Sequence, residues 1–229
     1  MRYKAVIFDL FGTLVCSVSV QEYRKRLIEM ASILSVEPGT FVKLWFDKSD
    51  ERMNGIIKNY REDIKYICQK AGTPIENEKI RLATQIRFDM VRNQMVPRGD
   101  AVEVLSCLRA KGYKTGLISD CSHEATVIWR STPFPTFIDV AVFSCLLGYT
   151  KPDPRIYQYT IEQLGFKPQS CLYIGDGGSH ELTGARQVGI HAVLLRIPEE
   201  DSAGVYRFNK EEWDGPILSS LKGVLDLVG

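Results

Sequence analysis

The sequence predicts an α/β protein: a doubly wound, Rossmann-like parallel sheet with an all-α unit inserted after the first strand. Three observations predict it. The runs of strand formers are almost continuously apolar, as in strands buried on both faces of a parallel sheet. Helical segments with start and stop signals lie between them. The alternation is broken once, over residues 17–95, where no strand is readable.

The elements follow in order. Residues 5–8 (Ala-Val-Ile-Phe) form the first strand and end at Asp9. Residues 17–95 read as about four amphipathic helices. Tyr23, Leu27, Ala31 and Leu34 mark the first face; Phe41, Leu44 and Trp45 start the second. Tyr60, Ile64, Ile67 and Ala71 mark the third, and Ile80, Ala83, Ile86 and Met90 the fourth. Stripes at this spacing are ordinarily core. Residues 96–99 (Val-Pro-Arg-Gly) are the expected return hinge, so the division is a core of 1–16 and 96–229 and a helical cap of 17–95. Residues 100–111 read as a helix with Asp100 as N-cap and Gly112 as stop. Residues 115–118 form a strand before Ser119, and 139–143 a further one. Residues 153–164 carry Asp153 as cap, Pro154 in the first turn and Gly165 at the end. Residues 171–174 form a strand before Gly175 and Asp176, a helix runs from Ser179 toward Val188, and 191–195 form the last strand. Residues 199–229 show no clear pattern.

Composition excludes several function classes. With 29 Lys plus Arg against 28 Asp plus Glu, the chain has no basic footprint for nucleic acid or an acidic membrane. No run approaches the about 18 apolar residues of a membrane span. The apolar N-terminal stretch carries Asp9 and Gly12 and no small-residue cleavage site, unlike a secretion signal. A cytoplasmic protein is expected. Cys16, Cys68, Cys107, Cys121, Cys145 and Cys171 stand far apart without a C-x-x-C pair, which indicates neither a zinc framework nor a redox dithiol. They read as small buried hydrophobes.

Ligands of open α/β sheets bind beyond the carboxyl ends of the strands. The residues that close the strands, Asp9, Ser119 and Asp176, therefore converge on one crevice, and Lys151 follows the strand at 139–143. Packing does not require two carboxylates, a hydroxyl and an ammonium at such a point.

These residues carry a resemblance. Residues 8–14 (FDLFGTL) resemble the first motif of the haloacid dehalogenase superfamily, whose usual form is DxDGT. Leu117-Ile118-Ser119-Asp120 resembles its second motif, Lys151-Pro152-Asp153-Pro154 its third, and residues 173–185 (YIGDGGSHELTGA) its fourth. The helical insertion matches that family's cap. The resemblance implies that Asp9 attacks the substrate as a nucleophile, needing an already polarised electrophile. It implies Mg²⁺ held by Asp9, the Phe11 carbonyl and Asp176, with Glu181 on a metal-held water. Ser119 and nearby backbone N–H groups, with Gly12, Thr13 and Asp120, would bind phosphoryl oxygens, and Lys151 would neutralise charge. The substrate implied is a small phosphorylated metabolite.

Phe11 departs from the pattern. The family's phosphatases carry a second Asp there as general acid and base, a role typically worth roughly 10²–10⁴-fold. His180 and His123 are candidate substitutes. An aromatic at this position also resembles the family's 2-haloacid dehalogenases, which need no metal and lack the acidic residue that Asp176 supplies here. Those enzymes carry an Arg after a Leu-Trp pair, where this chain has Phe46 after Leu44-Trp45; Arg52 or Lys43 are the candidate replacements. Three readings stand: a Mg²⁺-dependent phosphatase, which the fourth motif favours; a 2-haloacid dehalogenase; and a catalytically weak phospho-ligand-binding or regulatory protein.

Overall fold

The computed structural model describes residues 3–17, 19–198, 200 and 209–229. Six parallel strands form one sheet in the order β3-β2-β1-β4-β5-β6. They are β1 (Ala5–Phe8), β2 (Lys114–Ser119), β3 (Val140–Phe143), β4 (Cys171–Gly175), β5 (His191–Leu195) and β6 (Ile217–Leu218). The first five lie within a residue of the runs seen in the sequence. The sixth is two residues long, too short to leave a pattern.

The apolar runs are continuous because both faces of the sheet are covered. In β1, Val6 and Phe8 pack into one cluster with Leu105, Leu117 and Trp129, while Ala5 and Ile7 pack into another with Tyr157, Ile161 and Leu182. Leu172 and Ile174 of β4 join the first cluster, Cys171 and Tyr173 the second. This is the two-residue period of a strand with no solvated side.

Between β1 and β2 lie α1 (Val20–Leu34), α2 (Pro38–Asp47), α3 (Ser49–Met53), α4 (Tyr60–Lys70) and α5 (Asn77–Gln94). Four were expected; α3 spans only five residues and offers no stripe. These helices bury a cluster of their own, with Leu27, Phe41, Trp45 and Ile64 at its centre. The chain returns through Pro97, which bridges Val15, and through Arg98, whose N–H donates to Leu14 O at 2.9 Å.

The core helices are α6 (Ala101–Ala110), α7 (His123–Trp129), α8 (Ser144–Leu147), α9 (Pro154–Leu164), α10 (Glu181–Gln187) and α11 (Gly223–Val228). Asp153 caps α9 through Arg155 N at 2.9 Å, and Gly165 ends it at φ 76°. Asp100 holds the N-cap position of α6, but its side chain makes no capping bond. Its backbone is helical, and its carboxylate accepts instead from Lys222 N at 3.3 Å. The helix expected from Ser179 opens as a 3₁₀ turn, Gly178–His180, before α10.

Strand order reverses at β1, which has β2 on one side and β4 on the other. Phe8 stands opposite both Leu117 and Ile174, and Asp9 N donates to Ile174 O at 2.9 Å. The first residue after β1 therefore emerges at the switch point, one residue out of step with Asp176 after β4, where such sheets bind ligands.

Candidate active site

Asp9 is 4% exposed. Its Oδ1 accepts from Lys151 Nζ at 2.7 Å, whereas its Oδ2 is buried without a hydrogen-bond partner. Lys151 Nζ also donates to Glu181 Oε2 at 2.6 Å, and Lys151 N donates to both Asp120 oxygens, at 3.0 and 3.2 Å. Glu181 is fully buried. Its Oε2 accepts from Tyr173 OH at 2.8 Å, its Oε1 from Gly177 N at 3.0 Å, and its carbonyl from Tyr157 OH at 2.9 Å. Asp176 Oδ1 accepts from Gly178 N at 3.0 Å.

The electrostatics follow from burial. Burial pushes the Glu181 carboxyl up to about 8 against the pull of Lys151, with Asp9 and Asp176 adding to the rise. Burial raises Asp120 to about 6, opposed by Lys151. Burial alone would lower Lys151, but Asp9 and Glu181 together hold it well above the ordinary ammonium range. Carboxylates outnumber the cation in a space where uncompensated charge is costly. Carboxylate oxygens of Asp9, Asp176 and Glu181 lie within 4.8 Å of one another. An orphaned Asp9 oxygen within an all-oxygen donor set fits a hard divalent cation such as Mg²⁺. Both Glu181 oxygens already have protein partners.

Two glycines make this approach feasible. At Gly12, with φ +86°, a Cβ would stand 2.3 Å from Asp176 Oδ2. At Gly175 it would stand 2.2 Å from Glu181 Oε1. The loop after β1 is self-tied: Gly12 N donates to Val15 O at 3.0 Å and Thr13 N to Leu10 O at 3.2 Å. Arg98 grips the same loop, with Nη2 on Gly12 O and Nε on Thr13 O, both at 3.0 Å.

Asp9, Phe11, Gly12, Asp120, Lys151 and Asp176 line one cavity of about 190 Å³, closed from the helical insertion by Tyr23, Phe46, Arg52, Met53, Arg87 and Val91. Ser119, Thr13 and Glu181 are not on its wall. Ser119 and Thr13 are 0% exposed, each with a hydroxyl lacking a hydrogen-bond partner. The N–H groups of Gly12 and Thr13, expected as phosphoryl donors, are taken up inside their own loop, and Asp120 serves as an acceptor that fixes the Lys151 backbone.

Neither histidine lines the cavity. His180 is exposed at φ 50°, and His123 Nε2 is buried without a partner. Lys43 is exposed and pairs with Asp47 at 2.5 Å. Arg52 does reach the cavity, but its guanidinium is committed to Asp63 at 2.9 Å, to Trp45 O and to the Trp45 ring at 4.2 Å. Sequence reasoning missed Arg87, which binds Glu124 at 2.9 Å and Ser122 Oγ at 3.0 Å. It also missed Tyr173, Arg98 and Glu211. Glu211 caps α10 through Leu182 N at 2.8 Å and Thr183 N at 3.1 Å. Tyr173 alone left a signal: a phenol inside a fully buried strand needs a polar partner.

Comparison with known proteins fits this geometry. The profile of the haloacid dehalogenase-like hydrolases matches residues 3–189. A protein of Methanopyrus kandleri named glyceraldehyde 3-phosphate phosphatase is 26% identical over 84% of this chain and 84% of its own length. Mouse acyl-CoA dehydrogenase family member 10 is 28% identical over 86% of this chain, which spans only 18% of that larger protein. Among solved structures, a HAD phosphatase from Thermococcus onnurineus superposes with a TM-score of 0.67 at 20% identity, covering 99% of this chain and 98% of its own. An L-2-haloacid dehalogenase does so with 0.66 at 20%, covering 99% and 100%, so the fold alone serves both chemistries. The strand order, the carboxylate cluster beyond β1 and β4 and the profile match agree: the chain belongs to the haloacid dehalogenase-like hydrolases.

Proposed function

We propose that the protein is a Mg²⁺-dependent phosphomonoester hydrolase that acts on a small phosphorylated metabolite through an aspartyl-phosphate on Asp9. The observation that carries this reading is the split state of the Asp9 carboxylate: one oxygen is held by Lys151 and the other is buried and unpaired, in a carboxylate clustered with those of Asp176 and Glu181. The names of the full-length relatives support a phosphorylated substrate.

Asp9 attacks phosphorus, the ester oxygen departs, and water then cleaves the acyl phosphate to restore the carboxylate. Lys151 stays on Asp9 throughout and offsets charge that the transfer redistributes. Glu181, with both oxygens engaged, orients Lys151. Asp9, Asp176 and the Phe11 carbonyl would hold Mg²⁺, which when bound neutralises charge on the carboxylates and the phosphoryl group. Helices α1 to α5 act as a cap, supplying Tyr23, Phe46, Met53 and Val91 against the leaving group. Phe11 supplies no proton, so esters whose oxygen leaves as a stable anion are favoured.

One observation keeps a second reading in play. Phe11 stands on the cavity wall two residues after Asp9, and this aromatic suits 2-haloacid dehalogenation, where halide leaves unprotonated. Phosphate and halide release, each measured with and without Mg²⁺ on wild type and Asp9→Asn, separates the two. Mg²⁺-dependent phosphate release that Asp9→Asn abolishes is the expected result. Halide release that survives a chelator would replace this reading with the second.

A further inference from the structure

The sequence offered no paired cysteines, yet the fold builds a pair. Ser119 of β2 stands opposite Phe143 of β3 in a parallel ladder. Two residues beyond each stand Cys121 and Cys145. Ser144 maintains the match past the ladder: Cys121 N donates to Ser144 Oγ at 3.0 Å, and Ser144 Oγ donates to Met53 O at 2.6 Å. Both cysteines lie just past the ends of the paired strands, and this contact through Ser144 keeps the two segments side by side. Both thiols are free and 4% exposed, and the two sulfurs interact electrostatically. That contact holds Cys145 below the ordinary thiol range and, with burial, Cys121 well above it. Cys121 also lines the cavity, beside Asp120.

We propose that Cys121 and Cys145 form an oxidisable dithiol that closes to an intramolecular disulfide when a small hydroperoxide reaches the pair. The Cys145 thiolate attacks the peroxide, the O–O bond breaks, and hydroxide leaves with a proton from Cys121 as water. The Cys121 thiolate then attacks the sulfenic sulfur, and hydroxide departs and takes up the proton that Cys145 released on ionising, giving a second water. Two thiols lose two electrons and the peroxide gains them. The bridge fixes two segments that touch the site. Asp120, next to Cys121, accepts from Lys151 N, and Cys145 O packs so closely on Gly55 of the insertion that a Cβ there would stand 2.0 Å away.

The test needs no activity. Wild type and Cys145→Ser are treated with hydrogen peroxide, alkylated and mapped by peptide mass spectrometry, with a parallel sample reduced by dithiothreitol before alkylation. Wild type is expected to give a peptide joining Cys121 to Cys145 that dithiothreitol releases. Cys145→Ser is expected to give no bridge from Cys121. Both thiols still alkylatable in treated, unfolded wild type would overturn the proposal, as would a bridge from Cys121 to any other cysteine.

Discussion

Lys151 joins three carboxylates: its ammonium binds Asp9 and Glu181, and its backbone N–H binds Asp120. Removing the cation leaves Glu181 buried without its charge partner, which typically costs about 3–5 kcal/mol. Lys151→Met is therefore expected to lower the urea midpoint substantially as well as to abolish turnover; an unchanged midpoint would show that Glu181 is neutral without it. Phe11→Asp restores a proton donor and acceptor and is expected to raise turnover of alkyl phosphates by up to roughly 10²–10⁴-fold, and of aryl phosphates far less. Equal gains on both would mean that leaving-group protonation is not what Phe11 forgoes. Asp120 contributes a pH dependence. Its folded carboxyl titrates at about 6 against an ordinary 3.8, so the folded state binds the proton more tightly. In metal-free protein, stability falls as pH rises through that window, and Asp120→Asn is expected to flatten the denaturation-versus-pH curve there.

Among the elements, α5 is tied to α7 by one buried ion pair, Arg87 with Glu124, stacked near Trp45 of α2 at 5.3 Å. Burial raises the Glu124 carboxyl, but Arg87 more than offsets this and leaves it below the ordinary range. Arg87→Ala should cost about 3–5 kcal/mol in urea unfolding because Glu124 stays behind unpaired. The double variant Arg87→Ala with Glu124→Ala should recover part of that loss; no recovery would mean that the arginine acts through packing on Trp45. The five long strands were legible because burial on both faces makes their apolar runs unmistakable, and α9 because Asp153, Pro154 and Gly165 punctuate it. α3 and β6 were not, being shorter than the periods that reveal helices and strands. Asp9 and Asp176 were legible as strand-end residues, and Lys151 as a cation following the strand at 139–143. Their supports were not: Arg98, Arg87 and Glu211 are surface-type residues in a sequence, and only the fold shows that each is committed to a distant backbone or carboxylate. The Cys121 and Cys145 pair was hidden for the same reason, since strand register, not spacing, brings it together.

Over the whole molecule, a formal net charge of +1 leaves no broad field to attract an anionic substrate. On the proposed function, affinity for phosphate rests on a local excess of carboxylates that a divalent cation would convert into a binding site, together with Lys151. Binding of that cation to the folded state alone should raise stability by about 2.7 kcal/mol at a hundredfold excess over Kd. Calorimetry is expected to show Mg²⁺ raising the Tm of wild type and not of Asp176→Asn; equal shifts in both would place the cation elsewhere. The most direct measurement of the central claim is phosphate release from a panel of small phosphomonoesters by wild type and Asp9→Asn, with Mg²⁺ and with excess chelator. Release by wild type with Mg²⁺ alone is the expected result. Release that persists in Asp9→Asn or in chelator, or no release above the Asp9→Asn background on any ester, would contradict it.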